Sequence, residues 1–372
     1  MLIGVPRETK IHEYRVGLTP ASVREVVAHG HEVIVERGAG LGIGARDDDY
    51  VRAGARLAGD AAAVFAAAEL IVKVKEPQPA ERAWLRAEQV LFAYLHLAPD
   101  PQQAHALMAS GVTAIAYETV TDAGGGLPLL APMSEVAGRM SVQAGAHCLE
   151  KAAGGRGVLL GGVPGVEPAR VVVLGGGVVG SNAALIALGM GAAVTVIDRS
   201  VDVLRRLTER FGPQLKTVHA SRDAIEAEVA SAELVIGAVL VPGANTPRLV
   251  TRDMVREMLP GAVIVDVAID QGGCCESSRP TTHAEPTYVV DEVVHYCVAN
   301  MPGAVARTST QALNAATLPH VLALAEKGWE QALRDDAHLR AGLNVCAGHI
   351  THPGVATALG VDCQPADAAV SA

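Results

Sequence analysis

Aromatic residues and clustered basic residues are both scarce in this sequence of 372 residues. Aromatics make up only 3% of the chain, so alanine, valine, leucine and glycine must fill its cores by close packing. Acidic residues outnumber basic ones by 40 to 30, which gives a formal net charge of −10. Because the basic residues form no cluster, a nucleic acid or an anionic membrane surface is not expected as a partner.

The six cysteines show neither a CxxC motif nor the Cys/His spacing of a metal site. We therefore predict no metal centre and expect most of these cysteines to be reduced and structural. The first residues, MLIGVPRETK, lack the charged start, apolar middle and cleavage site of a signal peptide. A cytoplasmic location is the expectation that follows.

One uncharged segment, from Val171 to Ile197, is long enough to cross a bilayer. Its glycines and its β-branched runs VVV and VTVI favour two buried parallel strands instead. With its flanks it reads RVVVLGGGVVGSNAALIALGMGAAVTVID, the order of strand, glycine turn, helix, strand and acid that a dinucleotide-binding βαβ unit requires. We therefore predict a nicotinamide or flavin cofactor here and no membrane segment.

Each glycine of this turn has a predicted role. Gly175 and Gly177 allow a tight turn and a close approach of the backbone to a pyrophosphate, while Gly180 allows the helix to pack closely on the strand. The N-terminus of the helix would bind the phosphate charge. Asp198 ends the second strand, eighteen residues after Gly180, where a carboxylate can accept hydrogen bonds from a ribose.

Alternating strands and helices predict two parallel sheets. The runs LIGV, EVIVE, ELIVKV, VLFAYL and VTAIAYE form the first, and the βαβ unit with KTVHA, ELVIGAVL, AVIVDVA and TYVVDE forms the second. One long helix is predicted from Pro132 to about Gly154, and a helical region from Gln311 to Ala341 closes the chain.

The predicted fold class is α/β, with two doubly wound parallel-sheet domains and a cleft between them. We assign residues 1–128 and 307–372 to a discontinuous substrate domain, and residues 129–306 to a Rossmann domain that binds the cofactor.

Four charged residues lie where doubly wound sheets bind their ligands, beyond the carboxyl ends of strands. They are Arg15, Lys75, His96 and Asp270. The two cations suit a substrate carboxylate, and a histidine suits proton transfer near neutral pH. Each also has a structural alternative: a solvated cation for Arg15 or Lys75, a core histidine for His96, and a turn cap for Asp270.

Lys73 and Lys75 alternate with valines, which predicts that both lysines lie on one face of a strand. One of the two is then expected to face solvent or a salt bridge. Lys75 is nearer the strand end and is the better candidate to bind a ligand.

Long motifs in this chain closely resemble those of the bacterial L-alanine dehydrogenase family. They include GVPRETKIHEYRVGLTP, KVKEP, YLHLAPD, APMSEVAGRMSVQAGAHCLEKAAGGRGVLLGGVPGV, VDVAIDQGGC and VANMPGAVARTSTQALNAATLPHVLALAEKGW, in this order over nearly the whole chain. The resemblance implies a homohexamer that converts L-alanine, water and NAD⁺ reversibly to pyruvate, ammonium and NADH.

The same resemblance implies roles for individual residues. Arg15 and Lys75 would hold the carboxylate and carbonyl oxygen of pyruvate, His96 would act as acid and base, and Asp270 would position water or ammonia. The implied cofactor contacts, besides the glycines of the turn, are Ser134, Val178, Val179, Asp198, Val239, Leu240, Val267, Ala268, Ile269, Asp270, Val298, Ala299, Asn300 and Met301.

Two positions depart from the family's pattern. Val203 stands where relatives carry a basic residue, and Ala220, beside Ser221, stands where many carry serine. Arg199 and Arg205 are the candidates to supply the missing charge.

Two alternative functions stay open at this stage. An opine-type or saccharopine-like dehydrogenase would need space for a larger substrate. An NAD(H)-binding subunit of a membrane transhydrogenase would not need the four charged residues.

Overall fold

The computed structural model describes residues 1–239 and 246–370. The chain divides into two compact units, the first comprising Met1–Met133 with Gly303–Ala372 and the second Ser134–Pro302. The first unit is therefore built from two separate stretches of the chain.

The strands, in chain order, are β1 (Leu2–Val5), β2 (Glu32–Glu36), β3 (Arg56–Ala58), β4 (Leu70–Val72), β5 (Val90–Ala93), β6 (Thr113–Ala116), β7 (Arg170–Leu174), β8 (Ala193–Asp198), β9 (Leu215–His219), β10 (Leu234–Gly237), β11 (Val263–Asp266), β12 (Thr287–Val290), β13 (Val293–Tyr296), β14 (Leu343–Cys346) and β15 (His349–Ile350).

The α-helices are α1 (Pro20–Ala28), α2 (Asp47–Arg52), α3 (Ala61–Ala67), α4 (Pro79–Arg82), α5 (Pro101–Ser110), α6 (Ala131–Cys148), α7 (Val178–Gly189), α8 (Val201–Phe211), α9 (Arg222–Ala230), α10 (Arg252–Glu257), α11 (Ala306–Lys327), α12 (Trp329–Asp335), α13 (Ala337–Arg340), α14 (Pro353–Leu359) and α15 (Ala366–Ala369). Short 3₁₀ segments lie at Leu41–Ile43, Tyr117–Thr119, Lys151–Ala153, Gly212–Gln214, Val267–Gln271 and Met301–Val305.

The sheet of the first unit has the order β15-β14-β6-β5-β4-β1-β2-β3. Strands β1 to β6 are parallel, as the sequence predicts. The predicted helical region from Gln311 to Ala341 is present as α11, α12 and α13, but it does not close the chain, because β14 and β15 follow it and pair antiparallel at one edge of this sheet. Strand β14 has four residues and β15 only two, too short for a periodic signal. The strand order reverses between β1 and β4, which makes the carboxyl ends of these two strands the expected ligand-binding position.

The sheet of the second unit has the order β12-β13-β11-β10-β7-β8-β9. Its strands are parallel except β12, which pairs antiparallel with β13, so the prediction of TYVVDE as a parallel strand is wrong. Asp291 and Glu292 both have positive φ (49° and 62°) and form a two-residue hairpin between β12 and β13. The strand order reverses between β7 and β10.

The apolar segment from Val171 to Ile197 forms β7, α7 and β8. In the part of the chain that the structure describes, no helix has both the length and the hydropathy of a membrane span. Alternate residues of β7 belong to different cores, Val171 and Val173 to one and Val172 and Leu174 to the other. The second sheet is therefore buried on both faces, and its cores contain almost no aromatic side chains.

The predicted long helix is shorter than expected. Helix α6 ends at Cys148, and the chain then turns back so that Gly155 N–H donates to the carbonyl of Glu150. A Cβ on Gly155 would lie 2.3 Å from the carbonyl oxygen of Cys148, so this return requires glycine. Gly154 has a φ of +90° and ends the short 3₁₀ segment Lys151–Ala153 that follows α6.

The glycine turn after β7 brings α7 into close contact with the backbone. A Cβ on Gly180 would lie 1.8 Å from the carbonyl oxygen of Gly175 and 3.2 Å from a methyl group of Val173. A Cβ on Gly177 would meet nothing within 4 Å, and its φ is −70°. Gly180 is therefore required for packing, whereas Gly177 leaves space beside the helix N-terminus.

Gly180→Ala should destabilise the fold because the new methyl group forces α7 away from the turn. Overpacking of this kind costs about 1–3 kcal/mol of unfolding free energy. Denaturant unfolding of the purified variant measures this loss. Gly177→Ala is the matched control, and an equal loss in both variants would contradict the assignment.

Candidate active site

The glycine turn of the second unit lies beyond the carboxyl end of β7, which pairs with β10. Gly175 has a φ of +97°, and a Cβ there would lie 2.9 Å from the carbonyl oxygen of Ala238 and 3.2 Å from Cα of Val239. Gly177 is exposed and directly precedes α7. The backbone N–H groups at the start of α7 thus adjoin open space, which fits a pyrophosphate.

Asp198 links the end of β8 to the glycine turn. Its Oδ2 accepts a hydrogen bond from Gly176 N (2.7 Å), and its Oδ1 accepts one from Ser200 N (2.8 Å). The carboxylate is half-buried, so it lies beside the turn while it keeps contact with solvent. This position fits a residue that accepts hydrogen bonds from a ribose.

The departure at Val203 and the two arginines that could replace the missing charge lie near Asp198 in the sequence. Val203 packs under the turn, because a Cβ on Gly176 would lie 2.7 Å from its methyl carbon. Arg205 pairs with Asp202 at 2.6 Å on the surface, whereas Arg199 is exposed. Arg199 is therefore the nearer candidate to meet an adenosine group.

The remaining predicted cofactor contacts of the described chain all belong to the second unit. Val298 and Met301 are buried in its core, and Asn300 has a φ of +64°. Leu240 lies outside the described residues. Ser134, Val179, Val239, Val267, Ala299 and Asn300 are half-buried, Ala268 and Ile269 are buried, and Val178 and Asp270 are exposed.

Asp270 lies on the 3₁₀ segment after β11, and the connection that contains this segment is fixed by Asp266. Asp266 is fully buried, and its Oδ2 accepts hydrogen bonds from Cys274 N (2.9 Å), Cys275 N (3.3 Å) and Ser278 Oγ (2.6 Å). These bonds close the segment that carries Asp270. Asp270 itself is inside the 3₁₀ segment and exposed, so the alternative of a turn cap is not supported.

Two thiols lie beside the carboxylate of Asp266. The Sγ atoms of Cys274 and Cys275 are 3.9 Å apart. These two atoms and a carboxylate oxygen of Asp266 all lie within 4.8 Å of one another. Burial and the neighbouring thiol raise the pKa of Cys274 well above its usual value, the contact with Cys275 being the larger effect. Oδ2 of Asp266 accepts three hydrogen bonds and anchors the segment after β11, whereas its buried Oδ1 has no hydrogen-bond partner among the described residues. No sequence spacing predicted this cluster, because the three residues follow no known ligand motif.

Asp266→Ala should destabilise the protein strongly, because two buried N–H groups and the half-buried hydroxyl of Ser278 lose their acceptor. Each unsatisfied donor costs about 1–3 kcal/mol. Thermal unfolding measures the loss, and titration with a thiol reagent should detect Cys274 and Cys275 becoming reactive in the native state. Asp270→Ala is the exposed control, and wild-type stability in Asp266→Ala would refute the anchoring role.

Arg15 of the first unit is buried rather than solvated. Its side chain is 2% exposed and forms an ion pair with Glu13, which is 0% exposed. Nε donates to Glu13 Oε1 (2.7 Å) and Nη2 donates to Glu13 Oε2 (2.5 Å). The expectation of a solvated loop cation is therefore wrong for Arg15.

Lys73 and Lys75 lie beyond β4, which ends at Val72. Lys73 is fully buried and pairs with Glu8 (3.3 Å) and Glu81 (3.0 Å). Burial alone would lower the pKa of Lys73, but the two carboxylates outweigh it and raise that pKa. Lys75 is half-buried, which leaves it the better ligand candidate of the two.

Glu8 joins the segments that follow β1 and β4. Its Oε1 accepts hydrogen bonds from Val74 N (2.7 Å) and Lys75 N (3.3 Å). Burial raises the pKa of Glu8, although the ammonium of Lys73 opposes this shift. Glu8 and Glu13 belong to the first motif, but the sequence gives no signal for their role, because the partners of Glu8 are more than sixty residues away.

His96 is not a core histidine. Its side chain is 43% exposed, and its ring stacks on the ring of Tyr94 with 5.9 Å between centroids. The backbone has a φ of +49°, and His96 N donates to Glu118 Oε1 at 2.6 Å. The same carboxylate accepts from Leu95 N at 3.2 Å. Glu118 thus stabilises the left-handed conformation that presents the imidazole to solvent.

Two family models match the chain in succession. The N-terminal domain of alanine dehydrogenase/PNT matches residues 4–137, and the C-terminal domain of alanine dehydrogenase/PNT matches residues 141–353. The chain belongs to the alanine dehydrogenase/PNT family. The family resemblance expected from the sequence motifs is thereby confirmed.

Individual members of the family differ in their similarity to this chain. The alanine dehydrogenase of Halomonas elongata is 63% identical over 362 residues, which are 97% of this chain and 98% of that protein. A solved structure of an L-alanine dehydrogenase matches with a TM-score of 0.94 and 53% identity, covering 97% of this chain and 99% of that one. A transhydrogenase structure from Sinorhizobium meliloti matches with a TM-score of 0.81 and 25% identity, covering 95% and 99%. The comparisons favour an alanine dehydrogenase over an opine-type dehydrogenase or a transhydrogenase subunit.

Proposed function

We propose that the chain catalyses the reversible, NAD-dependent oxidative deamination of L-alanine to pyruvate and ammonium. The observation that carries this proposal is the near full-length similarity to alanine dehydrogenases. The positions of Arg15, Lys75 and His96 support it, because all three follow strands of the sheet in the first unit. On this proposal the first unit binds the substrate and the second binds the cofactor.

Arg15 and Lys75 bind the substrate anion. The guanidinium donates to the carboxylate of pyruvate, and the ammonium of Lys75 donates to the carbonyl oxygen. Since Glu13 and Glu8 hold these segments by hydrogen bonds, the two cations are arranged before the substrate arrives.

His96 and Asp270 manage protons and water. Deamination produces an iminium, to which water must add before ammonia leaves, so protons move on and off the oxygen and nitrogen atoms bonded to one carbon. His96 takes and returns these protons, because its ring is exposed and its backbone is fixed by Glu118. Asp270 orients the water or ammonia with its exposed carboxylate.

NAD is the cofactor that the second unit fits. When bound, it supplies hydride transfer to and from the substrate carbon. Gly175, Gly177 and the N-terminus of α7 would hold its pyrophosphate, and Asp198 would accept hydrogen bonds from its ribose. The other predicted contacts, from Ser134 to Met301, would surround the rest of the cofactor.

We also propose a homohexamer that works in the cytoplasm. Light scattering coupled to size-exclusion chromatography tests the hexamer, and a single species of another size would exclude it.

The reaction is tested by following NADH absorbance. Purified protein should oxidise NADH only when pyruvate and ammonium are both present, and omission of either should abolish the rate. The reverse reaction should reduce NAD⁺ with L-alanine. Oxidation that needs a second amino acid in place of ammonium would instead indicate an opine-type dehydrogenase.

His96→Ala should lower kcat by about 10²–10⁴-fold, which is the usual contribution of general acid–base catalysis. NADH binding, measured by fluorescence titration, should stay close to wild type. His105→Ala, at an exposed histidine of α5, serves as the control. Near wild-type turnover in His96→Ala would contradict the proposed acid–base role of His96.

Asp198→Ala should shift the cofactor preference from NADH towards NADPH. Loss of the ribose acceptor should lower kcat/KM for NADH about tenfold or more. The value for NADPH should rise, because the carboxylate no longer repels a 2′-phosphate and Arg199 can pair with it. Thermal unfolding is measured alongside, since Gly176 N also loses its acceptor. No gain with NADPH in a folded variant would contradict the assignment.

A further inference from the structure

The first unit contains a buried charge cluster, of which the proposed chemistry uses only Arg15 directly. It comprises three carboxylates and two cations, all with side chains at most 3% exposed: Glu8, Glu13, Glu81, Arg15 and Lys73. Burying so many charges is costly unless each is paired, so the arrangement needs a reason.

Glu13 and Arg15 form the most specific pair of this cluster. The carboxylate accepts from Nε and Nη2 in two parallel hydrogen bonds, and Oε1 also accepts from Arg15 N at 3.0 Å. A guanidinium has two edges that can bind a carboxylate in this bidentate way. Glu13 occupies the side edge, formed by Nε and Nη2.

The other edge is formed by Nη1 and Nη2. Nη1 lies 3.0 Å from Met133 Sδ, and a thioether is only a weak acceptor. A substrate carboxylate at this edge would gain much stronger, charge-assisted hydrogen bonds than the sulfur provides.

We propose that Glu13 is a positioning residue for substrate binding: it occupies the side edge of Arg15 and directs the Nη1–Nη2 edge toward the substrate carboxylate. This inference rests on the proposed function of Arg15. Arg15 then contributes directed hydrogen bonds, because Glu13 already neutralises its charge. Rotation of the guanidinium, which would misalign the substrate, is opposed by its two hydrogen bonds with Glu13, and the backbone N–H of Arg15 holds the Glu13 carboxylate in place.

The test compares Glu13→Gln with Glu81→Gln. Glutamine keeps the size of Glu13 but places an NH₂ group against the guanidinium donors, so Arg15 loses its fixed orientation. Glu81 is a similarly buried carboxylate that pairs with Lys73. Both variants should lose stability, and only Glu13→Gln should change substrate binding.

We expect the KM for pyruvate to rise about tenfold or more in Glu13→Gln, while kcat stays within about threefold and the KM for NADH within about twofold. Glu81→Gln should keep the wild-type KM for pyruvate. An unchanged pyruvate KM in Glu13→Gln, or an equal rise in both variants, would overturn the proposal.

Calorimetric titration with oxamate, an unreactive analogue of pyruvate, gives a readout without turnover. Wild-type protein should bind oxamate in the presence of NADH, and Glu13→Gln should bind it about tenfold more weakly. If wild-type protein neither turns over pyruvate nor binds oxamate, the proposed function fails. If wild type binds and Glu13→Gln binds equally well, only the role of Glu13 fails.

Discussion

Backbone N–H groups beyond the ends of parallel strands need acceptors, and carboxylates supply them throughout this protein. Glu8, Glu118 and Asp198 each accept from a segment that follows another strand, and Asp266 accepts from the later part of its own connection after β11. Without them, the segments that carry the proposed site would contain buried donors with no partner, which is a costly state. The four carboxylates are Glu8, Glu118, Asp198 and Asp266.

This constraint separates the residues that hold the site from those that act in it. Glu118 holds a backbone at positive φ so that His96 faces solvent, and Asp266 is fully buried while Asp270, four residues later, is exposed. Asp198 combines both roles, because it binds the glycine turn and remains half-buried at the proposed ribose position. The catalytic side chains therefore have little freedom of orientation, because hydrogen bonds fix their backbones.

Local patterns predicted the parts of this fold that depend on local physics. The roles of the glycines could be read from sequence because turn geometry and close packing follow from the absence of a side chain at Gly175 and Gly180. The burial of Arg15 could not be read from the sequence. This burial depends on Glu13 and on the packing of the unit around a segment that has no periodicity. The strands β14 and β15 were missed because they form only by pairing with a distant edge. For the same reason, the position of Glu8 in the site became apparent only from tertiary contacts.

The central claim is that ligands bind beyond the carboxyl ends of the strands where each sheet reverses its order. A crystal structure of the protein with NADH and oxamate tests it most directly. We expect the pyrophosphate against Gly177 and the first turn of α7, and the carboxylate of oxamate on the Nη1–Nη2 edge of Arg15. A nucleotide bound away from the glycine turn, or a carboxylate without contact to Arg15, would contradict the account.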